Sequence, residues 1–417
     1  MIDRARLEAQ FAHMRGISAP GEGGPGIYRL AFTDADWQGR TYLMRLMQEA
    51  GLALREDAFG NVIGRMEGTD PALPVVLFGS HADSVPGGGN FDGVLGILAA
   101  IETARSLNED GFRPEHPLEV VLFLCEESSR FGAATLGSRA MLGELTVEEA
   151  HRYRDKDGIS LYKAMTARGL EPEALGKPLH PGPVKAFFEV HIEQGKVLEH
   201  EGKEIGLVTG IAAPTRFRVR LTGSADHSGA TPMALRHDAA CAAAEIVLAA
   251  EVLAQAENDP PAVATVGMLQ IEPGVMNVIP GTATLGVDIR SIDDDVKARV
   301  AKRLQRRVRE IGERRGVAVD IEPISDERPV AISPKVLDFL EEIARESGCS
   351  YRRMPSGAGH DAMHWAERVP AGMLFIPCKD GLSHNPNESA KMEDILTVTR
   401  LLEKAVRRAS RKDTRLE

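Results

Sequence analysis

Apolar runs of strand length alternate with helical stripes along the first half of the chain. Residues 75–80 (VVLFGS) and 118–125 (LEVVLFLC) are almost continuously apolar, the pattern of strands buried on both faces. A third strand, 185–190, runs into His191. Helical spacing covers 3–16, 34–51 and 93–107; the second begins at a capping Thr33 or Asp34 and stops at Gly51. Two short strands, 52–57 and 61–67, flank Phe59-Gly60, and a polar, helical region without sharp bounds spans 138–175. This order predicts an α/β layer with a mostly parallel sheet.

From Thr215 the pattern changes. An alternating strand at 217–221 precedes a long alanine-rich helix at 233–255, strands at 264–271 and 282–291, a highly charged helix at 294–315 and a strand at 317–322. The order β-α-β-β-α-β is that of a ferredoxin-like unit. After Pro329 the α/β character returns, with a helix at 334–347, a glycine-rich turn at 356–362, a strand at 371–377 and a helix at 391–409. The expected division is an α/β unit made of 1–214 and 330–417, with 215–329 inserted as a separate ferredoxin-like unit.

Composition narrows the function classes. A chain of 417 residues has room for two or three domains and a large core. A net charge of -11 speaks against non-specific nucleic-acid binding. No stretch reaches the roughly 20 apolar residues of a membrane span, and the charged start MIDRARLEAQFAHM lacks a signal-peptide core. The 4 cysteines form no CxxC pair, as expected of reduced thiols in a cytoplasmic protein.

The chemistry-bearing residues gather after the apolar strands. His81, Asp92, Glu126, Glu127, His191 and His384 each follow one directly or through a short loop, and in open α/β sheets the ligand crevice lies at the strands' carboxyl ends. Three imidazoles with carboxylates suit zinc and neighbouring first-row metals. With one carboxylate bridging, they suffice for two ions roughly 3.5–4 Å apart. Asp83, two residues beyond His81 on an extended strand, is placed to orient that imidazole. Glu126 and Glu127 cannot share a direction, so one can bind metal while the other works as a general base. GGGN is followed by no GK[ST], and neither GxSxG nor HExxH occurs. Any single histidine here is more often an ordinary polar residue; their co-occurrence at strand ends is what points to a site.

The segments GSHADSVPGGGNFDG, LCEESSRFG, HIEQG, ADHSGATPM with RHDA, MNVIPG, DIRS, SGAGHDA and LSHNPNE, in this order over nearly the whole chain, resemble the hydantoinase/carbamoylase family of di-metal amidohydrolases. That family includes N-carbamoyl-L-amino-acid hydrolases, allantoate amidohydrolases and β-ureidopropionases. It lies within the superfamily of di-zinc aminoacylases and exopeptidases. The resemblance implies that His81, Asp92 and His191 hold one metal, and that bridging Asp92, Glu127 and His384 hold the other. Asp83 would orient His81. Glu126 would take a proton from the attacking water and deliver it to the leaving nitrogen. The inserted unit would be a lid and dimerisation domain, giving a homodimer. From that unit His227 would polarise the scissile carbonyl, in the partner's site, while Arg290 pairs with the substrate carboxylate and Asn277 hydrogen-bonds it. Gln194 and the turn containing Gly359 and His360 would line the pocket, with Arg216 a further substrate contact.

The implied reaction is hydrolysis of the ureido C–N bond of an N-carbamoyl-L-amino acid or an allantoate-like ureido acid. Two divalent ions are implied, zinc first, with manganese, cobalt or nickel suited to the same ligands. The rival readings are an N-acyl-amino-acid deacylase or dipeptidase with the same metal core, and a non-catalytic binding protein on this fold. Two departures from the family pattern bear on specificity. Asp226-His227-Ser228 stands where Asn-His-Ala is expected, and 212–215 read Ala-Ala-Pro-Thr where a more polar hinge is expected.

Overall fold

In the computed structural model, which describes residues 1–19 and 24–417, the glycine-rich stretch after Ser80 leads into a helix, Val94–Glu109, that is buried along nearly its whole length. Its sequence VLGILAAIETARSLNE is apolar on all sides through the first turns, so it can only sit inside. The chain divides into two compact units. One comprises Met1–Thr209, Ile332–Met354 and Gly359–Glu417; the other comprises Gly210–Ala331 and Pro355–Ala358.

The strands, in chain order, are Ala53–Glu56 (β1), Val62–Met66 (β2), Val75–His81 (β3), Leu118–Phe123 (β4), Val184–Ile192 (β5), Ile205–Ile211 (β6), Ala213–Thr222 (β7), Ala262–Glu272 (β8), Thr282–Ser291 (β9), Ala318–Asp326 (β10), Val330–Ala331 (β11), Tyr351–Ser356 (β12) and Ala371–Ile376 (β13). In the first unit the sheet runs β1-β2-β4-β3-β5-β13-β6, with β12 also on β6. Its centre is parallel: β3 pairs with β4 and β5, and β5 with β13. The margins β1-β2-β4 and β13-β6 are antiparallel. Every residue of β3 and β4 is buried, as their apolar runs require. Helix Val94–Glu109 and the C-terminal helix Met392–Ala409 share one core with β3, β4 and β5.

The second unit is a four-stranded antiparallel sheet in the order β10-β7-β9-β8. Helices Ala239–Gln255 and Asp294–Arg315 cover one face, and Phe217, Leu221, Ile246, Leu285, Val300 and Leu304 lie in its core. With the order β-α-β-β-α-β, this is the ferredoxin-like arrangement expected. Strand β9 alternates half-buried and buried positions along its length, as expected of a sheet with one covered face.

Three local expectations are corrected. The helix expected over 233–255 is broken: Met233–Leu235 is a single 3-10 turn. The helix proper starts at Ala239, where the Asp238 carboxylate accepts from the amides of Ala240 and Cys241. Such a cap ends the helix N-terminally whatever the upstream composition. The region 138–175 resolves into Leu136–Met141, Val147–Arg152, Leu161–Ala167 and the 3-10 turn Pro172–Ala174, each too short to show a period. They hold together by burying Leu136, Leu145, Leu161 and Met165 around Phe131. Strands β6, β11 and β12 add to the expected set; β11 is two residues long, β12 is polar, and β6 lies next to β7 without a turn signal.

Candidate metal centre

The site residues of the first unit sit where parallel strands end. Strand β3 ends in His81, and the chain then loops to Asp92. Gly93 has φ 64°, and a Cβ there would lie 2.4 Å from His81 Cε1. Glycine is therefore needed for the loop to pass the imidazole. Asp92 is fixed from both sides. Glu388 accepts from the amides of Phe91 (2.7 Å) and Asp92 (3.0 Å). Gln194 Nε2 and Ser383 Oγ each donate to Asp92 Oδ2 at 2.7 Å.

After β4 the chain turns through Cys125 at φ 64°. Asp83 receives the next two amides, Glu126 N on Oδ1 and Glu127 N on Oδ2, both at 3.1 Å. The geometric expectation for Asp83 is thereby refined. His81 Nδ1 lies 3.1 Å from the Asp83 carbonyl oxygen and 3.5 Å from its carboxylate. The backbone thus makes the shorter contact to the ring, and the carboxylate chiefly holds the Glu126-Glu127 turn. His191 lies within β5 rather than beyond it, and its Nδ1 faces the Ile192 carbonyl at 3.0 Å.

Two groups of side chains converge: His81, Asp92 and His191, and Asp92, Glu127 and His384. In each, one ligand atom per residue lies within 4.8 Å of the others. Asp92 Oδ1 is 3.5 Å from His81 Nε2 and 3.2 Å from His191 Nε2. His384 Nε2 is 3.4 Å from Asp92 Oδ2 and 3.2 Å from Glu127 Oε1. The two oxygens of Asp92 thus serve different groups. Carbonyl contacts at Nδ1 of His81 and His191 leave each Nε2 lone pair facing inward, which is how metal-binding imidazoles are held. The donor set, nitrogen and carboxylate oxygen, fits first-row divalent ions.

The electrostatics agree. Burial resists charge on His81, yet Glu126, Asp83 and Asp92 together hold its pKa well above the ordinary value. Burial likewise opposes charge on His191, and Asp92 raises it. Hydrogen bonds to Asp92 and Glu127 push His384 up to about 10. Carboxylates crowded around imidazoles in this way favour positive charge at the site, a proton or a metal ion. Glu126 belongs to neither ligand group. Its Oε2 lies 3.7 Å from His81 Nε2. Burial raises its pKa well above the carboxylate range, with Glu127, Asp361 and Asp83 adding to the effect and His81 opposing it. His360 packs against His191 with ring centroids 4.6 Å apart, and burial keeps it neutral. Gly359 precedes it in the same unit.

The remaining candidates lie in the second unit. His227 is exposed, and its Nδ1 accepts from the amides of Gly229 (3.1 Å) and Ala230 (3.2 Å), which fixes the ring. Asn277 accepts through its backbone carbonyl from Ser228 N at 3.1 Å. Arg290 is held by Asp288, Nε to Oδ1 at 2.9 Å and Nη2 to Oδ2 at 3.2 Å, and donates to the Gly357 carbonyl at 2.8 Å. Arg216 Nε shares Asp288 Oδ2 at 2.8 Å.

Comparison with known proteins adds the family. Residues 77–408 match peptidase family M20/M25/M40. A solved amidase of the hydantoinase/carbamoylase family from Burkholderia multivorans is 38% identical, covers 98% of each chain and superposes with a TM-score of 0.92. The chain belongs to the hydantoinase/carbamoylase family. Among its relatives, an N-carbamoyl-L-amino acid amidohydrolase from Geobacillus stearothermophilus is 42% identical over 94% of this chain and 95% of its own. A ureidoglycolate hydrolase from Oryza sativa is 40% identical over 93% and 81%.

Within this hydantoinase/carbamoylase member, three participants escaped the reading of the sequence. Ser383 and Glu388 flank His384 in LSHNPNE and both support Asp92. Asp288 precedes Arg290 by one alternation in DIRS, so both side chains leave the same face of β9. The signals were present: each lies inside a motif already singled out.

Proposed function

We propose that this protein is a metal-dependent amidohydrolase that cleaves the ureido C–N bond of N-carbamoyl-L-amino acids or related ureido acids. One observation carries the reading. Two ligand groups share Asp92, and a buried carboxylate, Glu126, adjoins them without belonging to either. His81, Asp92 and His191 would hold one divalent ion, and Asp92, Glu127 and His384 the other, with zinc first among the candidates. Such ions supply Lewis-acid stabilisation of a developing oxyanion and lower the pKa of water.

The chain's own groups do the rest. Glu126, beside both ligand groups, accepts the proton of the attacking water and delivers it to the departing nitrogen. Asp83 fixes the Glu126-Glu127 turn through both amides, so the base has one orientation. Gln194 and Ser383 hold the Asp92 oxygen that faces His384. In the second unit Asp288 holds the Arg290 guanidinium, leaving an always-charged planar group to receive a substrate carboxylate. Arg216, Asn277 and His227 complete the substrate contacts by their family motifs, and Gly359 and His360 line the metal-side wall. For an N-carbamoyl substrate the products are an amino acid, ammonia and carbon dioxide.

A homodimer through the second unit is part of the proposal. Strand β8 is an edge strand. It exposes Val263, Leu269 and Ile271, beside Leu248 and Val252 on helix Ala239–Gln255. Long edges with exposed apolar residues are sites of strand pairing. The four cysteines are free; a cytoplasmic setting is part of the proposal. Among the described residues no helix is long and apolar enough to cross a membrane.

A substrate panel tests the function. Ammonia release from N-carbamoyl amino acids, allantoate and β-ureido acids is compared with amine release from N-acyl amino acids and dipeptides, on protein loaded with each metal. The reading predicts ammonia from ureido acids. Turnover confined to acyl substrates would move it to the deacylase alternative.

A further inference from the structure

Thr135 occupies the N-cap position of helix Leu136–Met141, yet its hydroxyl caps nothing. A threonine there ordinarily accepts an amide of the first turn. Here Thr135 Oγ1 lies 2.8 Å from His364 Nε2 instead. His364 Nδ1 is 3.1 Å from Glu144 Oε2, and Arg368 pairs with the other oxygen of Glu144 at 3.1 Å. With the carboxylate facing Nδ1, the neutral ring carries its proton there and its Nε2 accepts the Thr135 hydroxyl proton. The backbone of Thr135 is left-handed, φ 55° and ψ 32°, a conformation that β-branched residues rarely adopt. Such an outlier persists only where its surroundings over-determine it, and these outliers gather at functional sites.

What the strained residue holds is the base. Thr135 N donates to the Glu126 carbonyl at 2.6 Å, and Leu136 N to the Cys125 carbonyl at 3.0 Å. These bonds close the loop that begins at Glu126. Glu126 is therefore gripped on both sides of its Cα, by Asp83 at its amide and by Thr135 at its carbonyl. Thr135 is 4% exposed, so its hydroxyl is sequestered in the relay. The arrangement has the order hydroxyl, imidazole, carboxylate, used here to lock a backbone rather than to attack.

We propose that Thr135, locked by His364 and Glu144, is a positioning residue for Glu126. The proposal rests on the reading of Glu126 as the proton carrier. None of the three side chains is a candidate metal ligand, so their loss should spare the metal content.

The test is a double-mutant cycle on the metal-loaded enzyme with a ureido substrate. His364→Ala should lower kcat roughly 10–100-fold, by analogy with the loss of side chains that orient metal ligands. KM and metal content should stay near wild type. His364→Gln, whose amide oxygen can accept the hydroxyl proton, should recover most of the rate. In the Glu126→Gln background, His364→Ala should change the residual rate by less than about twofold, because the group it positions is already gone. If His364→Ala does not fold, Thr135→Val removes the hydroxyl at constant shape and takes its place. Equal losses in both backgrounds, a loss that tracks missing metal, or no loss at all would overturn the proposal. Wild-type turnover by Glu126→Gln alone would instead overturn the general-base reading, and this proposal with it.

Discussion

Substituting Gly93 by alanine separates the metal centre from the fold that carries it. The added Cβ would lie 2.4 Å from His81 Cε1 and 2.5 Å from both ring nitrogens, where ordinary contact begins near 3.4 Å. The imidazole must therefore retreat by about 1 Å, several times the roughly 0.2 Å that metal–ligand distances tolerate. A misplacement of that size costs about 10²-fold in rate. The Gly93 backbone, φ 64° and ψ -46°, lies outside the left-handed helical well, so any L side chain adds a backbone cost as well. Gly111 supplies the control: its φ is 66°, and a Cβ there meets nothing within 4 Å. Gly111→Ala should thus carry a positive-φ cost without a clash, a drop of a few degrees in melting temperature, with full metal content and activity. Gly93→Ala should show at least as large a thermal loss, together with weaker binding of one metal and the loss of rate. Metal analysis after dialysis, differential scanning calorimetry and ammonia release read all three. If the two variants behave alike, or Gly93→Ala keeps both metals and full activity, His81 is not held as described.

Other expectations follow from the same geometry. Arg290→Lys should impair carboxylate substrates strongly and an amide-capped analogue much less, because lysine cannot reproduce the planar fork; equal losses on both would refute the anchor role. Burial raises Asp36 from 3.8 to about 7, so the folded state binds a proton that the unfolded state has lost between those values. Stability from this group is present below the unfolded pKa and is lost as pH rises through about 7, on the order of 4 kcal/mol by linkage. Asp36→Asn should remove that decline in a melting-temperature series, and parallel curves for variant and wild type would contradict it. Mixing Glu126→Gln and His227→Ala subunits tests whether His227 serves the partner's site. Random reassortment should restore roughly a quarter of wild-type activity, and a mixed but inactive sample would rule the trans arrangement out.

The legible parts of the sequence were those with a long pattern. Strands β3 and β4 announced themselves as apolar runs, and β9 and helix Asp294–Arg315 stood within their expected bounds. The ferredoxin-like order followed from the strands together with one alanine-rich and one highly charged helical stretch. The ligand candidates were legible because parallel strands deliver their carboxyl ends to one edge of a layer. Which of Glu126 and Glu127 joins a ligand group was not, because adjacency at a strand end does not fix side-chain direction. Geometry separates them: Glu127 Oε1 lies 3.2 Å from His384 Nε2, and Glu126 Oε2 lies 3.7 Å from His81 Nε2. The break before Ala239 was hidden by the alanine-rich stretch, since composition outweighs a single capping aspartate in a periodicity reading. The Thr135–His364–Glu144 relay was invisible because its members lie far apart in sequence and carry no shared spacing. Asp288 was overlooked because a carboxylate next to an arginine on a strand reads as an ordinary surface pair.

The central claim is that Glu126 moves the proton while its neighbour Glu127 binds metal. Its most direct test is metal content and turnover measured on the same preparations of Glu126→Gln and Glu127→Ala. Glu126→Gln should retain two metals per subunit and lose ammonia release from ureido acids by roughly 10²–10⁴-fold, the range for general acid–base catalysis, whereas Glu127→Ala should lose one metal. A Glu126→Gln enzyme that loses metal and regains full activity when metal is added back would contradict the account.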